Sequence, residues 1–106
     1  MNHQLYPNSL SIGGDVCEIT DQGTSAAHGN KIVLTLHNPH NQRESFDMDV
    51  KVVLYGRQAG RFMEKYGHLH EDDYPSVLIT GRLAVEKDGT LFVICHIYHI
   101  MQETDS

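Results

Sequence analysis

Cationic and flat side chains recur in this chain at the two-residue spacing that puts them on one side of an extended strand. Lys51 and Tyr55 share a parity, as do Lys31 and His37, Thr80 and Arg82, and Phe92, His96 and Tyr98. Rings beside cations can hold a nucleotide chain, with the ring under a base and the cation beside a phosphate. Histidine and cysteine invite a second reading, a metal site. His68 and His70 stand one residue apart ahead of Glu71 and Asp72, and Cys95-His96 lies near His99. No second ligand pair follows at zinc spacing, so neither a metal nor another cofactor is expected. Catalysis is the third reading. No Gly-x-Ser-x-Gly, glycine-rich phosphate loop or His-Glu-x-x-His motif occurs, and no enzymatic activity is expected.

Placing such residues side by side requires strands. Met48, Val50, Val52 and Leu54 fall on one face of an extended segment and Asp49, Lys51, Val53 and Tyr55 on the other, which predicts a half-buried strand. After Gly56 the period becomes helical: Ala59, Phe62, Met63 and Tyr66 make one apolar stripe on a helix of about ten residues, which Gly67 is placed to end. Upstream, Leu10, Ile12 and Val16 share a face of a first strand, with Gly13-Gly14 read as a bulge or sharp bend. The small polar run 21–30 is predicted as a turn or loop, 31–37 as a second strand, and 37–45 as an exposed hairpin arm. Downstream come a loop over 67–75, a fourth strand over 77–85, an Asp-Gly turn at 87–90 and a fifth strand over 91–101. Gly81 in the fourth strand marks coiling or a close approach. Residues 1–8 and the tail QETDS are expected to be flexible.

The order strand, strand, strand, helix, strand, strand is that of an all-β, five-stranded OB-fold barrel with one short helix between strands 3 and 4. An open sheet with one covering helix is the runner-up.

With 106 residues, the chain has room for one domain, its ordered core expected over about 9–101. No apolar run approaches the roughly 18 residues of a membrane span, and the N-terminus lacks the pattern of a secretory signal, so a cytoplasmic location is expected. Cys17 and Cys95 are too few for a disulfide framework and read as buried free thiols. A net charge of −6, from 8 Lys plus Arg against 14 Asp plus Glu, disfavours nucleic acid. The distribution offsets this. Setting aside Glu71, Asp72, Asp73, Glu103 and Asp105 leaves 9 acids against 8 bases, and between Lys31 and His70 the bases outnumber the acids.

The stretch Val52-Val53-Leu54-Tyr55-Gly56-Arg57-Gln58-Ala59 resembles the strand-to-helix segment of bacterial single-stranded DNA-binding proteins, roughly V-V-x-F-G-K-x-A. Val77-Leu78-Ile79-Thr80-Gly81-Arg82-Leu83 is similar to that family's next strand, V-x-V-x-G-R-L, and a turn glycine, Gly89, and a closing apolar strand follow. The likeness spans about Leu10 to Met101, and in length the chain is closer to a dimeric relative, primosomal replication protein N. The resemblance implies a barrel that binds single-stranded DNA, with RNA as the alternative, at low sequence specificity in replication, repair or recombination. It also implies a homo-oligomer, dimer or tetramer, with replication proteins as further partners.

Candidate residues follow from face and resemblance together: Tyr55 and Phe92 for stacking, and Lys31, Lys51, Arg57 and Arg82 for phosphates. Phe92 and Tyr98 fit a subunit interface equally well. The chain has no tryptophan, and the family's tryptophan positions fall at about Asp49 and near Asp88. The missing tryptophans, Asp47 and Asp49, and the net charge favour a competing reading, a barrel that has lost nucleic-acid binding and serves as a protein-interaction or assembly module.

Overall fold

The computed structural model describes residues 7–25, 29–38 and 48–101. They form β1 (Leu10–Ser25), β2 (Gly29–Asn38), β3 (Met48–Tyr55), α1 (Gly56–Tyr66), β4 (Ser76–Val85) and β5 (Leu91–Met101), with a 3₁₀ turn at Glu71–Asp73. The arm expected over 37–45 lies outside the described residues from 39 on, as do residues 1–6 and the tail.

β1 is long enough to pair twice. Its first half, Leu10 to Asp15, runs antiparallel to β4, and from Asp15 onward it runs antiparallel to β2. β2 pairs with β3 along its length, β3 meets β5 in parallel through Val52↔Val93 and Val53↔Ile94, and β5 returns beside β4. The sheet therefore closes in the order β1-β2-β3-β5-β4, the five-stranded OB-fold barrel.

Closure turns the two-residue alternation into an inside and an outside. Ile32, Leu34, Leu36, Val52, Leu54, Val77, Ile79, Val93 and Cys95 point inward and are buried. α1 seats Ala59 and Phe62 in the same core. The Phe62 ring lies 4.9 Å from Tyr66 and 5.4 Å, edge-on, from Tyr98, centroid to centroid. The turn from strand to helix needs Gly56, whose φ of 64° is left-handed and strained for any side chain with a Cβ. Gly67 then closes the helix, donating its N–H to the Met63 carbonyl.

Four expectations need correction. Residues 21–30 are mostly strand: β1 continues to Ser25, paired with Gly29, past a register shift between Asp21 and Thr24. Both faces of that extension are exposed, so no apolar alternation marked it. The Gly13-Gly14 bulge is absent, since pairing with β4 is continuous there, and the irregularity falls between Val16 and Glu18. Gly14 serves instead at a close crossing, where a Cβ would sit 2.8 Å from the His37 carbonyl oxygen. Asn8, expected in a flexible end, exchanges two hydrogen bonds with the Leu83 backbone. Cys17, expected to be buried, is exposed, whereas Cys95 is buried.

Gly81 carries a real bulge. Thr80 pairs with Ile97 but Gly81 pairs with Cys95, which leaves His96 as the extra residue. A Cβ on Gly81 would lie 2.0 Å from the Ile94 carbonyl oxygen, so Gly81→Ala must push the two strands apart. Urea unfolding is expected to show a loss of about 1–3 kcal/mol or more; an unchanged midpoint would contradict this close approach. For the thiols, burial pushes Cys95 up to about 11, and burial together with Asp49 raises Cys17. Mass spectrometry after iodoacetamide treatment of the native protein is expected to find Cys17 modified first and Cys95 modified at a comparable rate only after unfolding.

Candidate nucleic-acid interface

The outward-facing residues line up across the strands in rows set by the register. One row runs from Thr20 in β1 through Val33, Val53 and Ile94 to Arg82 in β4. A parallel row runs Glu18, Thr35, Lys51, and a third joins Lys31 to Tyr55. The β4–β5 hairpin stands beside this face and with it encloses an open trough of about 850 Å³.

Val33, Val53 and Phe92 give the trough an apolar side. Val53 is only 4% exposed although it lies outside the inner core cluster, because Val33 and Ile94 flank it on the neighbouring strands. Lys31, Lys51 and Lys87 bring positive charge, and Glu18, Glu86 and Asp88 bring as much negative charge, so the trough is close to neutral. The Lys31 Nζ stands 5.9 Å from the centre of the Tyr55 ring, within cation–π range.

The two acids at the expected tryptophan positions have local partners. Asp49 Oδ1 lies 2.8 Å from His37 Nδ1 on the adjacent strand. Asp88 Oδ1 accepts the Thr90 N–H at 2.9 Å, and hydrogen bonds from the Thr90 backbone and hydroxyl hold its carboxyl below the ordinary range. Asp88 thus builds the turn that, with the Glu86 N–H donating to the Thr90 carbonyl, holds the hairpin beside the trough.

Of the residues singled out from sequence, Lys31, Lys51 and Phe92 line the trough together. Tyr55 sits at its edge against Lys31. Arg82 is on the same outer face, paired with Ile94 beyond the trough lining. Arg57 stands apart in the first turn of α1, where it lines a separate concavity with Arg61 and Tyr98. Sequence reasoning missed Glu18 and Thr20, which it did not single out in the first strand, Gln22, which it placed in a loop, and Lys87, which it treated only as part of a turn. Val33 and Val53 were already on the right face by parity, but their role as floor shows only once the strands are side by side.

Among the described residues no group of three or more His, Cys, Asp or Glu side chains is arranged to hold a metal. His70 instead caps the 3₁₀ turn, its Nδ1 accepting the Asp72 N–H at 3.3 Å. Among the described residues no helix is long and apolar enough to cross a membrane.

No protein-family model and no curated protein matches the sequence. Solved structures do match its fold. The mitochondrial single-stranded DNA-binding protein Rim1 of S. cerevisiae superimposes with a TM-score of 0.72 at 14% identity, covering 95% of this chain and 100% of that one. The dimeric N-terminal domain of the PriB protein from Thermoanaerobacter tencongensis gives 0.64 at 14% identity, over 91% and 98% of the two chains. A small single-stranded DNA-binding protein from Streptomyces coelicolor gives 0.66 at 14%, over 92% and 96%. The barrel is the one these proteins share. With identities this low, the likeness establishes the fold, and the residues of the trough carry any argument about ligand.

Proposed function

We propose that this chain is a non-enzymatic, cytoplasmic single-stranded DNA-binding protein of low sequence specificity, with RNA as the alternative ligand, acting in replication, repair or recombination. The observation that carries this reading is the trough itself. It brings Lys31, Lys51 and Phe92 together across β2, β3 and β5, with Tyr55 held at its edge by Lys31. Such a surface offers rings to bases and ammonium groups to phosphates without a set of donors and acceptors that would read base edges. The similar folds of single-stranded DNA-binding proteins support it.

Titration of labelled oligo-dT at two salt concentrations tests the proposal. Tyr55→Ala and Phe92→Ala are each expected to weaken binding by about 1–3 kcal/mol. Lys51→Ala is expected to reduce the salt slope by about 0.7 if it neutralises one phosphate. Absence of single-strand binding at low salt, or equal affinity for duplex, would overturn the reading.

Self-association completes the proposal. The opposite side of the barrel, where β1, β4 and β5 lie together, exposes Leu78 at 36%, Ile97 at 49% and Met101 at 51%. Leu78 lies between Gly13 and His99, and Ile97 pairs with Thr80 beside Ser11, so large apolar side chains face solvent among small and polar neighbours. A second copy of the chain is the occupant we assign, in line with the dimeric state of the PriB domain of the same fold. Light scattering is expected to give a multiple of the 12.0 kDa chain mass and a smaller mass for the Leu78→Glu/Ile97→Glu variant. A wild-type protein that is monomeric at micromolar concentration would sink this part of the proposal.

A further inference from the structure

The trough has an apolar floor and lysines matched in number by acids, so a phosphate chain lying in it gains little net attraction there beyond individual lysine contacts. Besides Arg82 on the same outer face, a concentrated supply of positive charge is on α1. Its apolar stripe is fixed by Ala59 and Phe62, which must enter the core. With about 100° of rotation per residue, Arg57, Arg61 and Lys65 are then carried to the opposite, exposed side. Their spacing of four residues separates successive charges by about 6 Å along the axis.

This stripe is not a convex, featureless surface. Arg61 and Tyr98 line two adjoining concavities between α1 and β5, one completed by Arg57 and Gln58, the other by Lys65 and His68. The Gln58 side chain donates to the His96 carbonyl at 3.3 Å and ties the first turn of the helix to β5. Tyr98 is pinned edge-on against Phe62. Glu64 is the one acid in this lining. The stripe and the trough are separate concavities that the chain joins at one point. Tyr55, beside Lys31 at the trough edge, is the residue from which α1 starts, and Arg57 follows two positions later.

We infer that the α1–β5 surface, carried by Arg57, Arg61 and Lys65 over Tyr98, is a second contact site for the same nucleotide strand. The trough takes the bases, and the helix takes the phosphates of the segment that leaves it past Tyr55. This rests on the proposed single-strand binding and adds Arg61 and Lys65, which lie outside the trough, to the binding surface.

The experiment compares the wild-type protein with Arg61→Ala/Lys65→Ala on labelled oligo-dT of about 6 and about 20 nucleotides, lengths bracketing one barrel's site. Both substitutions are at exposed positions, and circular dichroism checks the fold. The variant is expected to bind the short oligonucleotide as wild type does and the long one about tenfold more weakly. Its salt slope on the long oligonucleotide should fall by about 1.4 for two lost phosphate contacts. Arg61→Lys should restore most of the long-strand affinity, since a cation suffices at a phosphate. Unchanged long-strand affinity, or an equal loss at both lengths, would overturn the inference while leaving the trough reading intact. Displacement of the long oligonucleotide by polyaspartate at equal charge would overturn it in favour of an acidic protein segment. Failure of the wild type to bind either length would remove both readings.

Discussion

Everything on this molecule's surface depends on β1 being shared by both halves of the sheet. Asp15 is where the two partnerships meet, opposite Ser76 in β4 and His37 in β2, and the Ser76 hydroxyl donates to its carboxylate. Just beyond it, the Val16 N–H still reaches the Pro75 carbonyl at 3.1 Å, so the strand leaves β4 gradually. Because the sheet closes, it has an inside, and each strand must send alternate residues to it. The inside takes aliphatic side chains, the Phe62 ring and the Cys95 thiol, and no polar or charged side chain among the described residues is buried there. The outside rows are what remains, and their register is set by core packing and not by any demand of a ligand.

That constraint explains the charge pattern. Lys31 and Lys51 face outward because Ile32 and Val52 face inward, and Glu18 follows from Ile19 in the same way. Facing a shared trough, these charges offset one another at short range, which makes the surface compatible with a net acidic chain. Neutrality leaves the apolar floor, Val33, Val53 and Phe92, as the feature that distinguishes this face from ordinary solvated surface. It also places the concentrated positive charge on α1, where Arg57, Arg61 and Lys65 meet one acid, Glu64. Hydrocarbon contact and charge are therefore separated in space but joined through one residue, Tyr55.

The strand-to-helix switch at Gly56 was legible because both periods are strong and the glycine between them has one physical use. The same alternation located Lys31, Lys51 and Phe92 on one face before any pairing was known. What failed was local geometry with no hydrophobic signature. The extension of β1 over 21–25 is exposed on both faces, so its polar residues read as loop, although backbone pairing with β2 holds them as strand. Two neighbouring glycines suggested a bulge or sharp bend at 13–14, and continuous pairing rules out the bulge; a glycine can equally be demanded by a crossing carbonyl, and the sequence does not distinguish these uses. Cys17 follows the inward-facing Val16, so strand parity turns it outward, and the expectation of burial came from residue type alone. Arg57 was grouped with Lys51 on resemblance alone, and the helix rotation separates them.

The acids at 49 and 88 stand at the expected tryptophan positions, and their geometry bears on the case against nucleic-acid binding. A carboxylate repels a phosphate through whatever charge its own neighbours leave uncompensated. Asp49 is bridged to His37, and Asp88 is engaged by the Thr90 backbone and hydroxyl that shape the hairpin turn. Both are therefore parts of the scaffold: one links β2 to β3 and the other sets the wall of the trough. An acid that holds up a surface can coexist with an anionic ligand when that ligand's charge is met on another element, the part we infer for α1. The absence of tryptophan is a separate matter. With smaller side chains at the floor, the trough offers less contact area per base, so under the proposed single-strand binding a larger share of the binding free energy falls to the cations outside it.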